Sequence, residues 1–357
     1  MNKYQITLRP VDKFFFGGDM TFKIDGQGKQ FNEQYSSYII QSLMFPQQTS
    51  LLGMLRFLVL RNAGEDVFSQ GKIVDKVKAA ELIGENSFMV NADHSRNSFG
   101  KIKGLSHVRI RRTEQGQTRD LEFAPRFQDL CLDDMAPGYY YPHGFSIPRI
   151  SKKQYNAKNG LPTLLTDGAK TFTLDEIFKE DHRTGIERSI STGKVDDNAL
   201  FKQISYRFCS DKADHCFVFE AEVEDDLALE KYHRQMVSVG GDNSQFLIGI
   251  EKVAGSETTN SSANNTVCLF SPTFLTGDEA RKASFAVSDL MPFRFLTSTI
   301  HATSYHILSQ QLKRSGKYEL FVPGSVFFFE SESHKREFID SIEAKRDFRQ
   351  IGYNEYK

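Results

Sequence analysis

Basic and hydroxyl side chains surround two glycines in the segment 183–208, which reads RTGIERSISTGKVDDNALFKQISYRF. Gly185 and Gly193 can adopt positive φ and let the backbone approach a ligand closely. After Leu200 the apolar residues alternate, which predicts a half-buried strand. A basic, hydroxyl-rich loop beside a strand is typical of phosphate binding without base readout, and a solvated hairpin is the alternative. The residues predicted to hold phosphates here are Arg183, Gly185, Arg188, Ser189, Thr192 and Lys194.

Three consecutive aromatic residues precede a glycine pair at positions 14–18, FFFGG. A glycine pair permits a tight turn, and an aromatic ring beside such a turn can stack on a splayed base. We therefore predict that Phe14 or Phe16 stacks on a base of a nucleic acid, with Gly17 and Gly18 in the turn.

Two other runs add basic side chains and backbone donors. The run HVRIRR reads as a basic strand and supplies Arg109 and Arg111 as phosphate partners. The run GGDNSQF can hold an anion with the backbone N–H groups of Gly240 and Gly241. Together with the two segments above, these runs predict one surface that combines stacking platforms with phosphate partners.

Catalytic and metal-binding interpretations have less support. The sequence has neither a P-loop nor a G-x-G-x-x-G run after a strand. Cys209, His215 and Cys216 give a C-x6-C spacing without a second cysteine pair, which does not favour zinc. In the one catalytic alternative, His182 is the general base of a metal-independent ribonuclease and Arg183 stabilises the phosphorane. No cofactor and no metal site is predicted.

The bulk composition limits the class of protein. The chain has 357 residues, long enough for two domains, and a net charge of −1. No global basic field therefore attracts nucleic acid, and any phosphate binding must come from a local patch, alone or within a larger assembly. The 31 Phe residues indicate core and interface use. Four cysteines without a disulfide pattern, no signal peptide and no membrane-spanning run predict a cytoplasmic protein.

The elements that must position these residues begin with a strand, predicted from the alternation over 4–11. A helix follows, with Thr49 or Ser50 as its cap and one apolar face. Gly53 costs this helix about 1 kcal/mol against Ala, which favours close packing or close approach of a ligand. Arg56 is predicted on the side away from the apolar face. Thr49, Gly53 and Arg56 would then present the N-terminal end of the helix to the same nucleic acid.

A long insertion is predicted over about 64–182. Beyond it, 200–208 and 217–223 alternate and predict a hairpin. Asp225 begins a predicted helix, because acidic residues suit the N-terminal end of the helix dipole. A strand at 246–253 completes the order β, α, insertion, β, β, α, β.

The same order of elements recurs in the second part of the chain. The small, polar segment 255–265 predicts a linker between domains at 1–254 and 266–357. In the second domain, Thr276 and Glu279 predict a capping box, and Ser333 is predicted to cap a later helix. The fold class predicted is α+β, with tandem ferredoxin-like (βαββαβ) domains, each a four-stranded antiparallel sheet with two helices on one face.

Several of these runs resemble one protein family. They are FFFGG, the P-x-x-T-x-x-x-G-x-x-R pattern at 46–56, TGIERSISTGKV at 184–195, LFKQISYRF, GGDNSQF, and VPGSVFFFE at 322–330. They resemble the CRISPR-associated repeat-associated mysterious proteins (RAMP), and among them the third subunit of type III-B Cmr effector complexes, in the Cas-five group. The resemblance spans nearly the whole chain.

The resemblance implies a non-catalytic subunit of an RNA-guided ribonucleoprotein. Such a subunit binds the repeat-derived 5′ handle of the CRISPR RNA and docks the large Cas-ten polymerase/nuclease subunit and the backbone RAMP subunits. It meets target RNA only through the assembled complex. Two alternatives stay open: a CRISPR RNA-processing endoribonuclease with His182 as base, and a structural adaptor without RNA contact.

Overall fold

The computed structural model describes residues 1–18, 20–23, 37–91, 97–126, 131–133, 139–140, 146–147, 149–151, 163–188, 195–240, 242–254, 266–301 and 313–357. The strands are β1 (Asn2–Pro10), β2 (Met20–Lys23), β3 (Ser37–Gln41), β4 (Phe68–Ser69), β5 (Lys72–Ile73), β6 (Ile102–Leu105), β7 (Arg109–Glu114), β8 (Gln117–Phe123), β9 (Cys131–Asp133), β10 (Tyr139–Tyr140), β11 (Ser146–Ile147), β12 (Arg149–Ser151), β13 (Leu164–Thr166), β14 (Thr171–Thr173), β15 (Phe178–Arg188), β16 (Val195–Phe208), β17 (Asp214–Val223), β18 (Met236–Ser238), β19 (Gln245–Lys252), β20 (Thr266–Cys268), β21 (Phe285–Val287), β22 (Leu290–Phe293), β23 (Leu296–Thr297), β24 (Lys313–Arg314), β25 (Tyr318–Phe321) and β26 (Val326–Phe328). The helices are α1 (Gln48–Arg61), α2 (Lys76–Ile83), α3 (Leu174–Ile177), α4 (Gly277–Ala280), α5 (Glu332–Glu343) and α6 (Arg346–Gln350). The predicted α+β class is confirmed, with strands greatly outnumbering helices.

The largest sheet in the described residues has nine strands and is built around β1. Its order is β14-β13-β8-β7-β17-β1-β19-β18, and β6 also pairs with β17. Strand β1 alternates as predicted, so Tyr4, Ile6 and Leu8 all lie on one face and are fully buried. The apolar face of α1 belongs to the same core, through Leu51, Leu52, Leu55, Leu58 and Val59.

A second sheet holds the segment singled out in the sequence. Strand β15 pairs antiparallel with β16 to form a long hairpin, β16 pairs in parallel with β3, and β3 pairs with β2. The predicted hairpin between 200–208 and 217–223 is therefore wrong. Strand β17 pairs instead with β1, β6 and β7, and β7 comes from the predicted insertion. Alternation identifies a strand and its buried face, but it does not identify the partner strand.

The predicted helix from Asp225 is also wrong. Only a 3-10 turn forms, at Leu229–Tyr232, and Met236 already belongs to β18. The chain turns because Arg234 has φ +62° and its N–H bonds to Ile248 O at 2.8 Å, which aligns the following residues with β19. A backbone N–H that bonds to a neighbouring strand is unavailable for a helical hydrogen bond.

Helix caps match the predictions in one case of three. Thr276 and Glu279 form the predicted capping box of α4. Helix α5 is capped by Ser331 and not by Ser333. Helix α1 begins after Gln47, so neither Thr49 nor Ser50 caps it. None of the helices in the described ranges has the length and apolar character needed to cross a membrane.

The C-terminal part contributes to two cores. A small cluster of its own contains Val267, Leu269, Leu275, Phe327, Phe329, Phe338 and Ile342. Phe293, Leu320, Phe348 and Tyr353, however, lie in the main core with β1 and α1. Gln350 Nε2 also donates to Lys103 O at 2.8 Å. The predicted linker at 255–265 lies outside the described residues, and the segments on either side of it share a core.

Candidate nucleic-acid interface

Four segments meet around the FFFGG run, and we call this meeting point the glycine junction (14–18, 41–43, 204–206, and 240 with 242–245). Phe14 forms an antiparallel bridge with Tyr206. The N–H groups of Phe15 and Phe16 donate to Ser244 Oγ at 2.8 Å and to Ser42 Oγ at 2.9 Å. The junction therefore joins the first strand, the entry to α1, the hairpin and the GGDNSQF loop.

Two glycines are required by packing within this junction. A Cβ at Gly18 would lie 1.7 Å from Gln41 O. Gly240 has φ +95°, and a Cβ there would lie 2.2 Å from Phe15 O. Any side chain at either position would collide with backbone that cannot rotate away. At Gly17, by contrast, a Cβ would meet nothing within 4 Å, although its φ of +81° favours glycine.

The stacking hypothesis for Phe14 and Phe16 is corrected by their burial. They are only 1% and 7% exposed, and both rings pack against Phe217 and Phe246 in the main core. A base cannot reach either ring in this fold. Phe15 points to the other side, where it lines a groove.

This groove, of about 280 Å³, lies beside the glycine junction. Three segments line it. They are the segment after β1, with Lys13 and Phe15; the hairpin, with Arg183, Gln203 and Ser205; and the GGDNSQF loop, with Asp242–Gln245. We call it the hairpin groove. Two polar contacts brace its walls: Gln203 Nε2 donates to Asp242 Oδ2 at 2.8 Å, and Lys13 Nζ lies 2.7 Å from Asp181 Oδ1. The Lys13 hydrogen bond lowers the pKa of Asp181.

Arg183 is the cation left available in the hairpin groove. Its side chain is exposed, and within the described part of the chain it has no ion pair. Gly185 lies within β15 opposite Phe201, so the loop predicted around this glycine is wrong at this position. Arg188 ends the strand. Ser189, Thr192, Lys194 and Gly241 lie outside the described residues, and their roles stay predictions.

Arg56 is not an exposed RNA-binding residue, contrary to the prediction. It is 8% exposed, and its guanidinium donates to Asn86 O at 2.9 Å and to Ser98 O at 2.7 Å. It also lies 5.5 Å from the centre of the Phe99 ring. Burial lowers the pKa of Arg56 to about 10. The side chain therefore ties α1 to the segments that follow α2.

The N-terminal end of α1 is also covered. Gln48 is buried and donates from Nε2 to Ser106 O at 2.8 Å, and Thr49 is partly buried at the same end. Further along, Gly53 is exposed, and a Cβ there would meet nothing within 4 Å. Close packing within the chain therefore does not explain Gly53, and close approach of a ligand stays as its prediction.

Arg109 and Arg111 form ion pairs with acidic residues of the main sheet. Arg111 makes a bidentate pair with Asp120, at 2.7 and 3.0 Å, and also donates to Gln5. The hydrogen bonds that Arg111 donates to Asp120 raise the pKa of Arg111. Arg109 pairs with Glu220 at 3.4 Å. These two arginines are neutralised by their own sheet, which argues against their predicted role as phosphate partners.

The hairpin geometry separates the two residues of the ribonuclease alternative. His182 and Arg183 are adjacent in a regular part of β15, so their side chains point to opposite faces. His182 Nε2 lies 3.0 Å from Glu180 Oε2 on its own face. One phosphate cannot contact both side chains in this arrangement.

The cysteines do not form a site with His215. His215 Nδ1 lies 2.9 Å from the carbonyl oxygen of Cys209, and burial lowers the pKa of His215. Burial raises the pKa of the Cys216 thiol, which disfavours the thiolate that a metal needs. The described residues contain no group of three or more His, Cys, Asp or Glu placed to hold a metal ion.

A larger cavity, of about 530 Å³, lies near the base of the hairpin. Two of its cations are already paired, Arg112 with Glu114 and Arg119 with Asp167 at 2.8 Å. The cavity carries acidic and basic groups in nearly equal number. Net charge therefore does not distinguish this cavity from the hairpin groove, whose lining also combines two acidic residues, Asp12 and Asp242, with two basic ones, Lys13 and Arg183.

Comparison with known proteins gives a family and a fold. The sequence model of a family described as CRISPR-associated protein (Cas_Cmr3) matches residues 6–143 and 150–356. A chain in a cryo-EM structure of the type III-B Cmr-beta complex bound to cognate target RNA is similar, with a TM-score of 0.52, 14% identity, and coverage of 99% of this chain and 96% of that chain. A chain of the same complex with target RNA and AMPPnP, state 1, has a TM-score of 0.48 at 14% identity, covering 99% and 95%. No curated protein matches the sequence significantly.

Proposed function

The chain belongs to the Cas_Cmr3 family of CRISPR-associated proteins, and on this basis we propose that it is a non-catalytic subunit of a type III-B RNA-guided complex. In this proposal the subunit holds the 5′ handle of the CRISPR RNA. The fold shared with a chain of an RNA-bound Cmr-beta complex supports the assignment to such an assembly.

The hairpin groove carries the RNA-binding part of the proposal. Three runs that the sequence analysis singled out independently converge there: FFFGG, the basic hairpin and GGDNSQF. Arg183 offers a solvent-facing guanidinium, and guanidinium groups suit phosphate oxygens. The mostly buried Phe15 ring forms an apolar wall beside it. A nucleotide can therefore place its phosphate at Arg183 and its sugar or base near Phe15.

The separation of His182 from Arg183 supports a non-catalytic role. General acid–base cleavage of RNA needs both groups within hydrogen-bond reach of one phosphodiester. Strand alternation holds them on opposite faces. No other observation favours the endoribonuclease alternative.

We also propose the tandem ferredoxin-like arrangement, with domains at 1–254 and 266–357. In the first part, the antiparallel order β19-β1-β17-β7 supports it. In the second, β20 pairs with β26, β26 pairs with β21, and Leu269 bridges to Tyr356, which supports the same order. The insertion would then comprise segments other than β7.

Docking of the large Cas-ten subunit and the backbone subunits is the remaining part of the proposal. Phe57, Val74 and Val77 on and beside α1 and α2 are 53%, 59% and 70% exposed. Helices α1 and α2 contact each other, and exposed apolar side chains on neighbouring elements often mark a protein interface. This surface is our candidate for one of the docking contacts.

The test is the salt dependence of guide RNA binding by the assembled complex. Arg183→Ala should weaken binding and reduce the slope of log K against log salt by about 0.7, the value for one phosphate contact with single-stranded nucleic acid. Arg281→Ala is the matched control, because Arg281 is an exposed arginine of the C-terminal part whose ion pair among the described residues is with Asp278. Unchanged affinity and slope in Arg183→Ala would remove the hairpin groove from the RNA site.

A further inference from the structure

The register of the hairpin aligns a second basic position with the hairpin groove. Lys179 pairs with Arg207, and Arg183 pairs with Gln203. Because side chains alternate along a strand, these four residues share one face. His182 and Lys202 point to the other face. The groove-facing side of the hairpin therefore carries more positive charge than the single Arg183.

Lys179 and Arg207 are like charges placed directly opposite each other across an antiparallel pair. Such pairs destabilise a sheet unless an opposite charge lies between them. Both side chains are exposed, and neither forms an ion pair within the described part of the chain. Asp181 on the same face is bonded to Lys13, and the charge of Arg207 also lowers the pKa of this carboxyl. Lys13, Lys179 and Arg207 thus outnumber the Asp181 carboxylate, and this part of the face keeps a net positive charge.

The spacing of the pair suits a continuous strand of nucleic acid. Lys179 and Arg183 are four residues apart on β15, which corresponds to about 13 Å along a strand. Both side chains lie on the same face of β15, so one polyanion can lie along the hairpin and contact both. A small free anion would need only one of the two positions. A flexible polyanion gains from both, because the second contact follows the first at high effective concentration.

We propose that Lys179 and Arg207 form a second phosphate site, which holds another phosphate of the same single-stranded RNA that reaches Arg183. This inference rests on the proposed function and extends it from one groove to a track along one face of β15 and β16. The bound RNA phosphate then offsets the repulsion between the Lys179 and Arg207 side chains.

Arg207→Glu separates this proposal from a merely solvated surface. In the free protein the substitution replaces a like-charge pair by an opposite-charge pair, so the thermal midpoint should stay equal or rise. RNA affinity should fall about tenfold, because one charge-assisted contact is lost and a repulsive carboxylate is added. Arg207→Lys keeps the charge and should retain the salt dependence of the unchanged protein.

Lys202→Glu is the matched control, since it makes the same change of charge on the same hairpin but on the other face. The assay measures binding of a labelled RNA carrying the repeat-derived 5′ end to the assembled complex at several salt concentrations. A loss of affinity in Arg207→Glu, with Lys202→Glu unaffected, supports the second site. Equal losses in both variants would mean a nonspecific charge effect and overturn it.

The failure of this inference can be told apart from failure of the proposed function. If Arg183→Ala weakens binding and Arg207→Glu does not, RNA uses the hairpin groove but not the second site. If neither variant changes affinity or salt slope, this face of the hairpin is not an RNA surface at all.

Discussion

Replacing Gly53 by alanine should stabilise the free chain by about 1 kcal/mol. Gly53 lies inside α1, where glycine costs roughly 0.8–1.0 kcal/mol against alanine. The position is exposed, and a Cβ would meet nothing within 4 Å, so no steric term offsets the gain. The full propensity difference should therefore appear as an increase in the free energy of unfolding.

The same variant tests whether Gly53 serves a ligand. The midpoint of urea unfolding should rise in Gly53→Ala, and guide RNA binding should be measured on the assembled complex under identical conditions. Higher stability with weaker RNA binding would mean that the methyl group obstructs an approach that the free chain leaves open. Higher stability with unchanged binding would remove Gly53 from the RNA site. A lower unfolding midpoint would refute the structural reasoning itself, because it would require a neighbour where none is seen.

Three further expectations concern the interior and one turn. Arg56→Ala should lower the free energy of unfolding by about 3–5 kcal/mol in denaturant titrations, since two charge-assisted bonds to backbone carbonyls are lost. A fully stable variant with weakened RNA binding would instead mean that Arg56 is an exposed RNA-binding residue. Gly240→Ala should destabilise by at least about 1–2 kcal/mol through its positive φ, with more from the contact with Phe15 O; an unaltered unfolding midpoint would contradict this geometry. Asp167 accepts hydrogen bonds from Arg119 and from two backbone N–H groups, which lowers its pKa to about 2 from 3.8. The carboxylate therefore adds stability above about pH 4 that disappears as pH falls toward 2, and Asp167→Asn should show a smaller loss of stability over this range in acid titrations followed by circular dichroism.

Local patterns predicted the elements better than their partners. The face of α1 and the alternation of β1 follow from periodicity, and both were correct. The partner of β17 was not predictable in this way, because alternation in 217–223 is satisfied equally by β16 and by β7. The choice depends on the path of the chain after residue 208, which is a tertiary property.

Predictions of site residues failed where they depended on burial. The predicted anion-binding role of Gly240 stays a prediction, and the structure shows that internal packing requires a glycine there. Arg56 was misplaced because the carbonyl groups of Asn86 and Ser98 that bury it are distant in sequence. The FFF run did contain a usable signal. Residues i and i+2 of an extended segment share a face, so Phe14 and Phe16 belong together, and Phe15 belongs to the opposite side.

The covered end of α1 has a consequence for how the protein is made. During translation this helix leaves the ribosome long before the C-terminal residues. Phe348 and Tyr353 pack in the same core as the helix, and Gln350 donates a hydrogen bond to Lys103 O. Domains usually fold as they emerge, N-terminal parts first. Here the main core stays incomplete until the C-terminal segment has left the ribosome. A nascent or prematurely terminated chain therefore exposes apolar surface, which makes it a substrate for chaperones and proteases before it can enter any assembly.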